Sequence, residues 1–385
     1  MHRVKICVVT GSRAEFGQLL PLLKKLEQDS YFNLDFVVTG SHLAPENGNT
    51  IEEIRASRIN ISECIPIKYL DDNSREGIAR QISDVILSFS HYFSEHRPDM
   101  LIVIGDRYEM FGVAIAASTL LIPITHICGG STTSGAIDEV YRHSITKMSA
   151  LHFTTCDAYR KRVIQLGENP HSVYNVGSLA IENCLKTELL SEDDFRNQLG
   201  LSMHVPVTLE KEASENELYE LIEALRAFSD YSYIITLSNT DSGGDRINEI
   251  WRSTAQKYTN FHVVPSLGMK RYLTALKYSE MMIGNSSSGT TEGPAMHIPT
   301  IDIGDRQKGR FFADSIIHCD PRKDDIISAI KKASSAEFKD MVKQVKNPFG
   351  DGTTSDQMIQ ILKQVTSAPV NIKKDFYDVN FEVSI

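Results

Sequence analysis

The stretch Met100-Leu101-Ile102-Val103-Ile104-Gly105-Asp106-Arg107 decides the fold. A short apolar run rich in β-branched residues and stopped by glycine reads as a parallel strand, with Asp106 standing at its carboxyl end. Similar runs occur at residues 4–9, 34–38, 122–127 and 151–154. Between them, residues 18–28, 75–93, 110–121 and 140–148 place apolar side chains at helical spacing. Strands alternating with amphipathic helices predict a doubly wound α/β sheet with crossover helices.

The pattern lapses into acidic and polar sequence at residues 180–205, where Ser191-Glu192-Asp193-Asp194 offers a helix N-cap. It then resumes, with helices expected at 215–228, 245–258 and 269–277, and strands at 231–237, 261–264, 281–283 and 300–303. The expected division is an N-terminal Rossmann-like domain over 1–185, a C-terminal one over 186–364, and a tail, 365–385, that docks back on the first. The 385-residue length suits two or three domains at about 150 residues each. Because open parallel sheets bind ligands beyond the carboxyl ends of their strands, the two sheets are expected to face an interdomain cleft.

Composition narrows the function. A net charge of -10 opposes a general nucleic-acid-binding surface, so any anion must be held locally. No run of about eighteen apolar residues is present and the chain starts directly into a strand, so no membrane partner and a cytoplasmic location are expected. The six cysteines are scattered without a CxxC pair or zinc-ligand spacing and are expected to be reduced, with no metal.

The chemistry-bearing motifs follow strands. In Gly284-Asn285-Ser286-Ser287-Ser288-Gly289-Thr290-Thr291-Glu292, small residues open a helix and leave backbone N–H groups bare, which is an anion site; the alternative is a Ser-rich turn with an N-cap. Neither a Walker A lysine nor a GxGxxG fingerprint is present, which favours a sugar nucleotide over a hydrolysed nucleoside triphosphate. Glu292 suits the ribose hydroxyls. Arg13 and Arg306 would add cations, or serve as surface ion-pair residues. Asp106 at a strand end stands where a general base belongs. Asp138, Glu139, Arg142 and His143 share a helix start, either as functional groups or as an i,i+4 ion pair. His42 and His126 adjoin glycine turns, where a structural role is the alternative.

Taken together, GSRAEFG (11–17), VTGSHL (38–43) with GNT (48–50), GDRYEMF (105–111), HICGG (126–130) with AIDEVYRHSITKMS (136–149), SNTDSG (238–243), GNSSSG (284–289) and IGDRQKGR (303–310) resemble the hydrolysing UDP-N-acetylglucosamine 2-epimerases. The resemblance implies two Rossmann-like domains of the glycosyltransferase B type, no cofactor, and a homodimer or homotetramer. The implied reaction releases UDP through a 2-acetamidoglucal, which water converts to N-acetylmannosamine. Asp106 and Asp138 would be the acid/base carboxylates, His204 a further catalytic group, and His42 a sugar contact. Arg13, Ser286, Ser287 and Glu292 would bind the nucleotide. The implied substrate contacts also include Arg107, His126, Arg142, His143, Asn239, Asp241, Gly284, Ser288 and Arg306.

Three departures stand out. Many relatives carry Glu at the positions of Cys128 and Ser131, and an ordinary thiol is no carboxylate base at neutral pH. In Met203-His204-Val205-Pro206, the histidine stands one place earlier than in the family's His-Pro pattern, which in a strand turns it to the opposite face. Gly268 stands where relatives often have Arg. These departures keep three alternatives in play: the same chemistry on UDP-N,N'-diacetylbacillosamine, a UDP-sugar glycosyltransferase, and a non-catalytic UDP-sugar-binding protein.

Overall fold

The computed structural model describes residues 3–44, 50–68, 72, 74–133, 137–199, 204–208, 214–237, 244–264 and 267–380. The chain forms two compact units, Met1–Asn183 with Pro348–Ile385, and Cys184–Asn347.

The first unit is built on β1 (Val4–Thr10), β2 (Phe32–Thr39), β3 (Glu63–Ile65), β4 (Met100–Ile104), β5 (Ile124–Ile127), β6 (Leu151–Thr154) and β7 (Val173–Asn175). All seven pair in parallel, in the order β3-β2-β1-β4-β5-β6-β7. Alternation along the strands feeds two cores. Ile6, Val8, Ile102 and Ile104 pack on one face with Leu19, Leu22 and Leu23, while Cys7, Val9, Leu101 and Val103 pack on the other with Phe89, Val113 and Ala117. Burial on both faces explains why these strands read as continuous apolar runs.

The second unit repeats the arrangement with β8 (His204–Thr208), β9 (Ser232–Thr236), β10 (Phe261–Val264), β11 (Met282–Gly284), β12 (Thr300–Ile303) and β13 (Ile316–Cys319). Its order is β10-β9-β8-β11-β12-β13, again parallel. In both sheets the order reverses beside the first strand, at β1/β4 and at β8/β11. The loops after those strands therefore line the crevice that such sheets use for ligands.

The expected second domain ran to 364, but the final helix, Thr354–Thr366, belongs to the first unit. Its Met358 and Leu362 are fully buried in the first unit's core, and Ser355 donates from N and Oγ to Glu182 at 2.6 and 2.5 Å. An amphipathic period says which face is buried but not against which sheet. The tail lies on the first unit: Tyr377 N donates to Gly167 O at 3.0 Å, and Lys374 Nζ donates to Ser149 O and to Glu168, both at 2.7 Å.

Candidate active site

In the first unit, β4 ends at Gly105, whose φ of +78° only glycine adopts without strain. The turn it allows sets Asp106 and Arg107 at the start of the helix Tyr108–Thr119. Arg142, on the helix Ile137–Met148, is 3% exposed and reaches back to this turn. Its Nη2 donates to Asp106 Oδ2 and to Thr133 Oγ1 at 2.9 Å, and its Nη1 donates to Glu139 Oε2 and Ser131 O, both at 3.0 Å. Expected as a substrate contact, Arg142 directs these bonds to its own loop and to Asp106.

His126 closes the same ring from β5. Its Nε2 donates to Gly105 O at 2.8 Å, which fixes the proton on that nitrogen, and its Nδ1 lies 3.1 Å from Thr146 Oγ1. Burial lowers the imidazole to about 3, so it is neutral and holds the turn rather than carrying a proton. His42, expected at the sugar, is buried between Thr10 Oγ1 at 3.2 Å and Thr50 Oγ1 at 2.9 Å, and burial lowers it to about 4.

Asp138 is exposed at the start of the Arg142 helix. Its carboxyl is raised, first by desolvation and then by the Asp106 charge, with Arg142 and Arg107 opposing. The structure thus places Asp106 and Asp138 within each other's field, one anchored by a guanidinium and the other biased toward holding a proton. Such a pair can divide base and acid roles. Glu139 differs: burial works to raise it, but the Thr133 N–H, His143 and Arg142 outweigh burial and hold it low. His143 Nε2 sits 3.2 Å from Glu139 Oε1.

Cys128 follows β5 at φ +71°, a strained backbone for a residue other than glycine. Burial, and then the Asp106 charge, push its thiol up to about 12, so it is neutral beside the carboxylates. Arg13 is exposed and pairs with Glu53 Oε2 at 3.1 Å. Arg107 makes a two-pronged ion pair with Glu109, at 2.7 and 3.1 Å.

In the second unit, β11 leads through Asn285 to Ser286, the N-cap of the helix Ser287–Ala295. Gly293 lets this helix lie close on β12, because a Cβ there would collide with Thr300 Oγ1. Asn285 O accepts from Arg306 Nη1 at 3.0 Å and Gln307 Nε2 at 2.7 Å, which ties the loop after β12 to the loop after β11. Ser288 Oγ accepts from Tyr272 OH at 2.7 Å. Burial raises the Glu292 carboxyl, with Thr291 and Ser288 opposing through hydrogen bonds. Hydroxyls, helix N–H groups and the positive end of the helix converge here, a combination suited to an anion.

His204 opens β8, pairing in register with Ser232, but its side chain, like Asn239 and Asp241, lies outside the described residues. Sequence reasoning missed Thr133, Thr146, Glu109, Tyr272 and Gln307 as parts of these sites. Glu109, Thr146 and Gln307 lie inside the GDRYEMF, AIDEVYRHSITKMS and IGDRQKGR motifs, whereas Thr133 and Tyr272 left no signal. Among the described residues no three His, Cys, Asp or Glu side chains are grouped to hold a metal ion, and no helix is long and apolar enough to cross a membrane.

Comparison with known proteins places this geometry. The chain is 38% identical over 383 residues to the polysialic acid biosynthesis protein P7 of Escherichia coli, covering 97% of each chain. It is equally 38% identical over 350 residues to the GDP/UDP-N,N'-diacetylbacillosamine 2-epimerase (hydrolyzing) of Campylobacter jejuni, covering 88% of this chain and 90% of that one. In fold it matches the crystal structure of the Neisseria meningitidis UDP-GlcNAc 2-epimerase bound to UDP-GlcNAc, with a TM-score of 0.76 at 16% identity, covering 94% of this chain and 100% of that one. This is the glycosyltransferase B architecture of two Rossmann-like domains. The family described as UDP-N-acetylglucosamine 2-epimerase matches residues 24–363, and with relatives this similar along nearly its whole length the chain belongs to that family.

Proposed function

We propose that this protein is a hydrolysing 2-epimerase that converts UDP-N-acetylglucosamine to N-acetylmannosamine and UDP. The observation that carries the reading is the anchoring of Asp106 by Arg142 with Asp138 in its field. The C2 proton of the sugar is weakly acidic, so its removal needs a positioned base in a dry site. Asp106, held by Arg142, takes that proton while the bond from C1 to the phosphate oxygen breaks and UDP leaves with the electron pair. Asp138, raised toward its protonated form, supplies the proton at the departing oxygen. The resulting 2-acetamidoglucal regains a proton at C2 on the opposite face, and water adds its hydroxyl at C1, which gives the inverted free sugar. His204 is a further catalytic candidate from the second unit.

Nucleotide binding falls to the second unit. Ser286, Ser287 and Ser288 at the helix start suit the pyrophosphate, Glu292 the ribose hydroxyls, and Arg306 lies beside the same loop. Within the first unit, Arg13 and His143 are further candidates for substrate contact, whereas Arg107 is taken up by Glu109 and both ring nitrogens of His42 by Thr10 and Thr50. The name of the Campylobacter jejuni relative favours a second reading, the same chemistry on UDP-N,N'-diacetylbacillosamine.

Incubating purified protein with each UDP-sugar separately, and reading UDP and free sugar by NMR, tests both readings. Free N-acetylmannosamine from UDP-N-acetylglucosamine supports the first. Turnover of the diacetylated sugar alone moves the assignment to the second, and UDP binding without turnover of either rejects both.

A further inference from the structure

We infer that Glu15 keeps its carboxyl proton at neutral pH and, as a neutral acid, is a positioning residue for the turn that carries Asp106 and Arg107. Glu15 is 6% exposed at the start of the helix Arg13–Gln28, immediately after β1. Its Oε2 accepts from Gly11 N at 2.7 Å and Ser12 N at 3.1 Å, completing a capping box with Ser12. Its Oε1 is buried with no hydrogen-bond partner among the described residues. The neighbouring acid, Glu109, is wholly buried and holds both prongs of Arg107. Both carboxyls are buried, and Arg107, whose own side chain is 43% exposed, is already paired with Glu109. A second buried charge without a partner is costly, so one carboxyl keeps its proton.

The surrounding groups point to Glu15 as that carboxyl. Burial first, and then the Glu109 charge, push Glu15 up to about 8, against the Gly11 and Ser12 N–H groups and Arg107. His42, in the turn after β2, is neutral through burial and supplies no compensating cation. The Tyr108 phenol, beside Glu109, is raised and stays protonated. Arg13, on Glu15's own helix, is turned to Glu53. When Glu15 ionises, it repels Glu109 and competes for Arg107, the residue next to Asp106. The protonation itself is independent of the proposed function, whereas its effect on turnover rests on that reading.

The test uses the full chain and Glu15→Gln, which mimics the neutral acid and retains the capping geometry. Because the folded value lies above the ordinary 4.5, this group's contribution to wild-type stability falls as pH rises from about 4.5 to about 8 and is level beyond. The wild-type melting temperature therefore drops relative to E15Q across that window. Isotope-edited infrared spectra of protein labelled with 13C-glutamate show a protonated carboxyl band near neutral pH that titrates around pH 8 and is missing from E15Q. Wild-type turnover falls about tenfold by one pH unit above the midpoint, while E15Q holds its rate. Identical infrared bands or parallel melting curves in the two proteins would overturn the protonation, and an unchanged alkaline limb in E15Q would overturn the positioning role. If E15Q does not fold, Glu109→Gln decides: the infrared midpoint moves downward, and an unmoved midpoint overturns the inference.

Discussion

Arg142 donates to the carboxylate of Asp106 across 36 residues of chain, from a guanidinium that is only 3% exposed. The bond joins the helix Ile137–Met148 to the turn after β4, and His126 holds the same turn through Gly105 O. Arg142→Met leaves Asp106 and Glu139, both half-buried, without their shared cation, and losing hydrogen bonds to a charged group of this kind costs about 1.5–3 kcal/mol. Urea unfolding checks this: Arg142→Met shows the loss, whereas Arg142→Lys recovers part of it, because an ammonium keeps the charge without the guanidinium fork.

Asp106→Asn keeps the hydrogen-bonding shape and removes the proposed base. Calorimetric titration with UDP gives an affinity within about twofold of wild type, while turnover falls at least a hundredfold, at the low end of the contribution expected of a positioned acid–base group. Retained turnover would reassign the base.

Cys128 invites a different expectation. Its thiol is pushed to about 12 and carries no charge at neutral pH, so it moves no proton there. Cys128→Ser, similar in size and also neutral, keeps turnover within about threefold. A loss of a hundredfold or more in steady-state assays would show that the sulfur takes part in the chemistry.

Glu168 sets an acid limit to stability. Its carboxylate is 1% exposed and accepts from His152 at 3.0 Å, Lys147 at 2.6 Å and Lys374 at 2.7 Å. Burial works to raise it, but hydrogen bonds from His152, Lys147 and Lys374 prevail and bring it to about 2. A depressed folded value contributes stability above the ordinary 4.5, and that contribution disappears as pH falls toward about 2. Melting temperatures measured downward through this window fall more steeply for wild type than for Glu168→Gln.

Gly293→Ala tests the proposed nucleotide end. The added Cβ collides with Thr300 Oγ1 and pushes the helix Ser287–Ala295 off β12, an overpacking that costs about 1–3 kcal/mol. UDP affinity measured by calorimetry falls with it, because the displaced helix shifts the proposed anion site at its N-terminus.

Much of this was legible in the sequence, for identifiable reasons. The runs at 100–104, 151–154, 261–264 and 300–303 coincide with β4, β6, β10 and β12, and β4, buried at every residue, is apolar throughout. The three-residue β3 and β7 were too short to be seen, and β13 was missed although three of its four residues are apolar. Asp106 was legible from Gly105 before it, but the partners of His126, Gly105 O and Thr146 Oγ1, lie 21 and 20 residues away and no local pattern encodes them. Glu15 and Glu109 lie inside the GSRAEFG and GDRYEMF motifs, but nothing local marks them as buried. Their burial comes from the stacking of the turns after β1 and β4, which is a property of the sheet order. The return of Thr354–Thr366 to the first unit was hidden for a similar reason.

The central claim is elimination at C2 by a positioned carboxylate, and the most direct measurement is the hydrogen at C2 of the free sugar released from UDP-N-acetylglucosamine in deuterated water. The account predicts N-acetylmannosamine carrying deuterium at C2, with one UDP released per sugar. Free N-acetylglucosamine that retains its original C2 proton would contradict it, because UDP would then have left by hydrolysis at C1 with C2 untouched.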